Sequence, residues 1–208
     1  VAVADPQGDF GEGSGTENSG SLSNDVEAGQ DNFVYVRVRN RGGAAAANVE
    51  VTVYWSEVAT LVTPGMWNLI GTVTIPNVPV GDVLTVSDGI VWPETDIPAN
   101  GHYCFVATLN HAADPVPPLP GAMSWTDYYD LIKNQNNVTW RNFNVVNDLP
   151  DTPSATPPFE FLLTGPDGEP ERFEFEIERK LPPDARLILS GPANLIRHLA
   201  KDRFEVKA

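Results

Sequence analysis

The sequence predicts an all-β fold: a two-layer sandwich of about seven strands with one short helical insert, followed by a small β-rich C-terminal segment. Three observations carry the prediction. Proline and glycine are abundant, at 19 and 17 residues. Apolar residues recur with period two in short runs, the grammar of half-buried strands. Each run is bounded by a separator dense in turn formers. At 208 residues and 41% hydrophobic, the chain can also bury a substantial core.

The elements follow in order. Val1 to Ala4 reads as a short strand, and "GDFGEGSGTENSGSLSN" after it is too rich in Gly, Ser and Asn to bury much. Residues 1–32 are therefore expected to form an acidic surface arm. From Asn32, Val34, Val36 and Val38 alternate with Phe33, Tyr35, Arg37 and Arg39. "NRGG" turns the chain, and Val49, Val51, Val53 and Trp55 then alternate with Glu50, Thr52 and Tyr54. Further strands are expected at Asn68 to Ile75, Val83 to Val91 and His102 to Asn110.

Between Asn110 and Asn136 the pattern changes. "SWTDYYDLIKNQNN" opens with Ser124 and Asp127, close to a capping box, and places Tyr128, Leu131 and Ile132 on one helical face. A strand returns in "NVTWRNFNVV", Asn137 to Val146. Residues 33–147 thus read as a sandwich of immunoglobulin type. "NDLPDTPSATPP" supplies a Pro-rich linker at 148–158. Residues 159–208, in which Phe173, Phe175 and Ile177 alternate with Glu174, Glu176 and Glu178, read as a small β-rich domain or a partial second sandwich.

Several residues carry a family resemblance. A strand ending in Asn40-Arg41-Gly42, an alanine-bearing turn at Ala44 to Ala47, the strand "NVEVTVYW", and a final strand introduced by Asn136-Asn137 resemble the CARDB group over about residues 30–146. These are bacterial cell-adhesion-related domains with an immunoglobulin-like sandwich. The resemblance implies extracytoplasmic location and a role in binding or spacing, and it brings no catalytic residue. The insert between Asn110 and Asn136 departs from the shortest members.

Charge narrows the partners. Thirteen basic residues against 28 acidic ones give a net charge of -15, which repels nucleic acid and anionic lipid. No apolar run approaches the ~20 residues that span a bilayer, so no direct membrane insertion is expected. The N-terminus lacks the pattern of a signal segment. Cys104 is the sole cysteine, which excludes an intrachain disulfide, and it reads as a small packed hydrophobe. His102, His111 and His198 fall in no nucleophile, zinc-protease or phosphate-loop motif, so no enzyme is expected.

Three binding chemistries remain. Asp5, Asp9 and Glu12 in "DPQGDFGEG" offer carboxylates between glycine turns, a composition suited to Ca2+ although the spacing is not that of an EF-hand. His111 and Asp114 in "HAADP", with His102, offer fewer ligands. Trp67, Trp92, Trp125, Tyr128 and Tyr129 could present flat rings to a carbohydrate, or plug the ends of a sandwich. Arg37, Arg39 and Arg41 form a basic stripe in an acidic chain. Its expected partners are the chain's own carboxylates, in the 1–32 arm or at Glu174, Glu176 and Glu178, within one copy or between copies. The "NVT" sequon at Asn137 is read as accidental.

The sequence thus favours a non-enzymatic module for adhesion, assembly or spacing. A protein partner or self-association is preferred to a glycan, with an arm that could add to a neighbour's sheet edge and build a filament. The alternative is a carbohydrate-binding or accessory domain of a larger secreted hydrolase.

Overall fold

The structure is a computed structural model that describes residues 2–20, 22 and 24–147. The chain divides into two compact units, Val1–Pro170 and Glu171–Ala208, and all described residues belong to the first. The linker at 148–158, the strands expected beyond it and the Glu174, Glu176, Glu178 stripe lie outside the described residues.

The N-terminal segment differs from expectation. Residues 2–4 are not strand, and the chain instead forms a short helix, α1 (Pro6–Phe10). The reason is local. Asp5 caps it by accepting from the Gly8 amide at 3.0 Å, and Pro6 occupies the first turn, where its missing N–H costs nothing.

Among the described residues nine strands follow: β1 (Asp25–Glu27), β2 (Asn32–Val34), β3 (Arg37–Val38), β4 (Ala46–Glu57), β5 (Asn68–Val78), β6 (Thr85–Val86), β7 (Ile90–Trp92), β8 (Gly101–Asn110) and β9 (Val138–Val146). Five of them make one sheet in the order β1-β9-β8-β4-β5. All its pairs are antiparallel except β1 with β9, which run parallel. The second layer is thinner: β2 pairs with β7, and β3 with β6, both antiparallel.

Two expected long strands, one at residues 33–39 and one at Val83 to Val91, are therefore each broken in two. Ser87, 1% exposed, explains the break. Its amide donates to the Val36 carbonyl at 2.9 Å, while its hydroxyl accepts from the Val36 amide at 2.9 Å. A side chain has replaced one backbone rung. Beside it the Tyr35 ring crosses Gly89 so closely that a Cβ there would lie 2.9 Å from Cε1.

The layers meet in one apolar cluster. Val49, Val51 and Val53 of β4 face Val38, Ile90 and Trp92, with Phe105 and Phe143 stacked at 3.9 Å between centroids. Trp92 is 0% exposed and meets both phenylalanines edge-on. Such aromatic contacts add to what area burial alone supplies.

The other face of the large sheet is also covered. Cys104 and Val106 of β8 and Val138 pack with Val62 and Leu131, the last from helix α2 (Trp125–Asn134). β8 is buried without interruption from Cys104 to Thr108, as expected of a strand with both faces covered. Ser124 accepts from the Asp127 amide at 3.2 Å and donates to its carboxylate at 2.8 Å, which starts the helix at the expected place. Tyr128 and Leu131 are buried as the helical face predicts, whereas Ile132 is 49% exposed.

Candidate functional site: a strand edge covered by the arm

Successive backbone groups of a strand alternate in direction. Since Ser87 turns its amide toward Val36, Val86 and Leu84 turn theirs away from β3. That leaves a short row of polar groups on the outer side of β6. The arm fills it.

Gln7 lies in α1 with its carboxamide against this row. Its Nε2 donates to the Leu84 carbonyl at 3.0 Å, and its Oε1 accepts from the Val86 amide at 2.9 Å. One amide side chain thus reproduces the donor and acceptor of a neighbouring strand. Glu12 completes the pairing: its amide donates to the Leu84 carbonyl at 3.0 Å, and its Oε2 accepts from the Leu84 amide at 3.0 Å. The buried Gly11 allows the chain to pass between them, since a Cβ there would stand 2.5 Å from the Gln7 carbonyl.

Apolar and charged groups extend the contact. Phe10 packs on Tyr35 at 5.6 Å, and the Tyr35 hydroxyl accepts from the Val3 amide at 2.7 Å. Arg37 donates from Nη2 to the Thr16 carbonyl at 3.2 Å. Arg39 pairs with Glu12 at 3.3 Å and also donates to the Asp82 carbonyl. Arg41 pairs with the Asp82 carboxylate at 3.0 Å. The three arginines named from the sequence are therefore brought together with the arm at Arg37 and Arg39, and with the β6 turn at Arg41.

Beyond Thr16 the arm is held twice more. Glu17 accepts from the Gly13 amide at 2.6 Å. Its own backbone N–H holds its carboxyl below the usual range, aided by the Gly13 and Gly15 amides and the Arg37 charge, against an opposing desolvation. Arg141 of β9 then donates to the carbonyls of Gly20 and Leu22 and to the Asn24 side chain. β1 follows as an added parallel strand. Of residues 2–20 only Gly11 is buried, so the arm lies on the surface, and there it lines two strand edges.

The other candidates are placed as follows. Asp5 caps α1 and Glu12 serves Leu84 and Arg39, so Asp5, Asp9 and Glu12 are not gathered into a ligand set. Among the described residues no three His, Cys, Asp or Glu side chains converge as a metal group. His102 shares a 2.8 Å hydrogen bond with Asn144, whose Nδ2 donates to Asp25 at 3.2 Å, a chain that ties β8, β9 and β1 together. His111 and Asp114 close a tight turn through their backbones. Cys104 donates to Asn142 at 3.1 Å, and burial pushes its thiol pKa up, the wrong direction for a nucleophile.

The aromatic residues need correction. Trp92 and Tyr128 are buried, at 0% and 7% exposure, and cannot present a ring to a sugar. The Tyr128 hydroxyl instead accepts from the Val62 amide at 3.2 Å, and burial raises its pKa. Trp67 is half-buried between Tyr54 and Trp140 and donates to the Val62 carbonyl at 2.9 Å. Trp125 is also half-buried, and Tyr129, at 61%, is the exposed ring of α2. Asn137 is buried and donates twice to Asp114, so the sequon is not presented for modification. A concavity at Glu27, Ala28, Gly29, Gln30 and Asn147 measures 280 Å³, below the range usual for small-molecule pockets, roughly 300 to 1,000 Å³.

Gln7, Ser87 and Arg141 were not singled out from the sequence. Each acts through a backbone group, which leaves no charge pattern to read.

No family model matches the chain, and no curated protein matches it. Among the solved structures it is similar to are two of one domain. The crystal structure of the CARDB domain of the PF1109 protein from Pyrococcus furiosus, in complex with di-metal ions, is 19% identical, with 59% of this chain and 80% of that one covered and a TM-score of 0.37. The solution NMR structure of the same domain is 20% identical, covering 59% and 86%, with a TM-score of 0.35. The resemblance read from the sequence and these structures carry the same family name. The all-β class rests on the strands of this chain itself.

Proposed function

We propose that this chain is a non-enzymatic, extracytoplasmic module of a bacterial surface or secreted protein, mediating protein assembly, adhesion or spacing through its strand edges. One observation carries the reading. β5, 11 residues long, ends the five-stranded sheet and, among the described residues, pairs on one side only. A strand edge of that length is a template for an added strand. The carbohydrate reading loses Trp92 and Tyr128 to the core, and the small concavity offers no comparable site.

Light scattering over a rising concentration series tests it. The chain is expected to associate, and Thr74→Lys with Asn77→Lys, both at exposed β5 positions, is expected to suppress association by placing charge on the edge. A monomer at every concentration, together with a glycan-array signal lost on Trp67→Ala, would replace this reading with the carbohydrate one.

A further inference from the structure

The β6 edge is built from the chain's own arm, and nothing in that contact requires the arm to come from the same copy. We propose that the outer edge of β6, with Arg37 and Arg39, is a docking site for the N-terminal arm of a second copy. The arm exchanges between neighbours as the joint of an assembly.

Three observations support exchange. First, the contact is modular. Val3, Gln7, Phe10, Glu12 and Thr16 meet Leu84, Val86, Tyr35, Arg37 and Arg39, so one contiguous segment, residues 3–16, carries one side of the contact. Second, charge is complementary. Residues 1–32 hold seven acidic side chains and no basic one, and the basic residues of 1–147 are Arg37, Arg39, Arg41, Lys133 and Arg141. Three of these five hold the arm. Third, the bonds between the two grips are local to the arm. Arg141 next grips it at Gly20, and in the Gly- and Ser-rich stretch before that point Glu17 accepts from the Gly13 amide and the Ser19 amide donates to the Thr16 carbonyl, both within the arm itself.

A donor and an acceptor patch at different places on one molecule make a head-to-tail contact, which closes into a ring or continues as a filament. Within one copy the arm has an effective concentration on the order of millimolar, so exchange is expected when copies are crowded. The inference deepens the assembly reading and rests on it.

Cross-linking between copies tests it. Glu12→Cys and Arg39→Cys are made in separate full-length chains and together in one chain, with the native protein, whose Cys104 is buried, as the blank. A short bismaleimide is added. The doubly substituted chain is expected to cross-link within itself at low concentration, which shows that the fold and the docked arm survive. An equal mixture of the two single variants is expected to give a covalent dimer whose yield rises several-fold with concentration, beyond that of either variant alone. If the double variant closes on itself while the mixture gives no dimer above those controls, the exchange is overturned. If the double variant also fails to close, the arm does not dock and the inference falls with it. Association abolished by Thr74→Lys with Asn77→Lys, but without a mixed dimer, would overturn the exchange and leave the assembly reading standing.

Discussion

Gln7 and Leu84 are 77 residues apart, yet the Gln7 carboxamide donates to the Leu84 carbonyl at 3.0 Å. The same carboxamide accepts from Val86, so a single side chain does the work of a strand along two residues. Replacing Gln7 by Ala leaves the Leu84 carbonyl its bond from Glu12 but orphans the Val86 amide. A loss of about 1–2 kcal/mol is expected from the two part-buried hydrogen bonds removed. Urea unfolding measures it, and no change in midpoint would show that water satisfies the edge equally well.

Arg37 and Arg39 separate into two magnitudes. Arg39 and Glu12 are solvent-facing, with side-chain exposures of 32% and 51%, so their pair contributes at most about 1 kcal/mol and weakens with salt. Charge reversal at both positions, Arg37→Glu with Arg39→Glu, is expected to do more, because it repels the acidic arm as well as breaking two contacts. Limited proteolysis should then cut between residues 10 and 20 at least several-fold faster than in the native chain. Equal cutting rates, with stability insensitive to salt in both, would refute arm docking by charge.

Trp92 and Trp67 were equal candidates in the sequence and are unequal in the structure. Trp92→Ala empties a site enclosed by Trp55, Phe105 and Phe143, and a loss of about 3–5 kcal/mol is expected. Trp67→Ala, at a half-buried position, is expected to cost clearly less. Thermal unfolding of both variants ranks them, and the reverse order would contradict the placement of the core.

How legible this was depended on the interaction. Periodicity exposed β4, whose dry face alternates, whereas β8, dry on both faces, was marked by the turn-rich segments that bound it. The capping pair Ser124 and Asp127 likewise marked α2 where it starts. The breaks at Val36 and Ser87 were invisible, since a serine that replaces a backbone rung looks like any strand serine. Alternation also could not tell Trp92 at the centre from Trp67 at the margin. The arm's pairing left no mark for a different reason: low hydrophobicity argues against a core, but not against pairing through polar groups along an edge.

Cys104 offers a check on the non-enzymatic reading. Its thiol is buried and its pKa is raised by burial, so reaction with a disulfide reagent at pH 8 is expected to be at least tenfold slower than in urea-unfolded chain. Rapid labelling of the folded protein would indicate an exposed, activated thiol and reopen the question of chemistry.

Glu17 makes the loop at residues 13–17 sensitive to acid. Its folded pKa lies below the ordinary 4.5, so its contribution to the docked loop is complete above about that pH and is lost as pH falls through the lowered value. The Gly13 amide resonance, whose proton Glu17 accepts, is expected to move in the acid range below the ordinary titration. A resonance that follows an unperturbed carboxylate would show that the loop is not closed.

Amide hydrogen exchange at Leu84 and Val86 tests the covered edge most directly. In the native chain both amides are expected to be protected, and in Gln7→Ala with Glu12→Ala both should exchange at least tenfold faster while Val51 and Val106 keep their protection. Equal exchange at Leu84 and Val86 in the two proteins would show that the arm does not cover this edge, and would contradict the account at its centre.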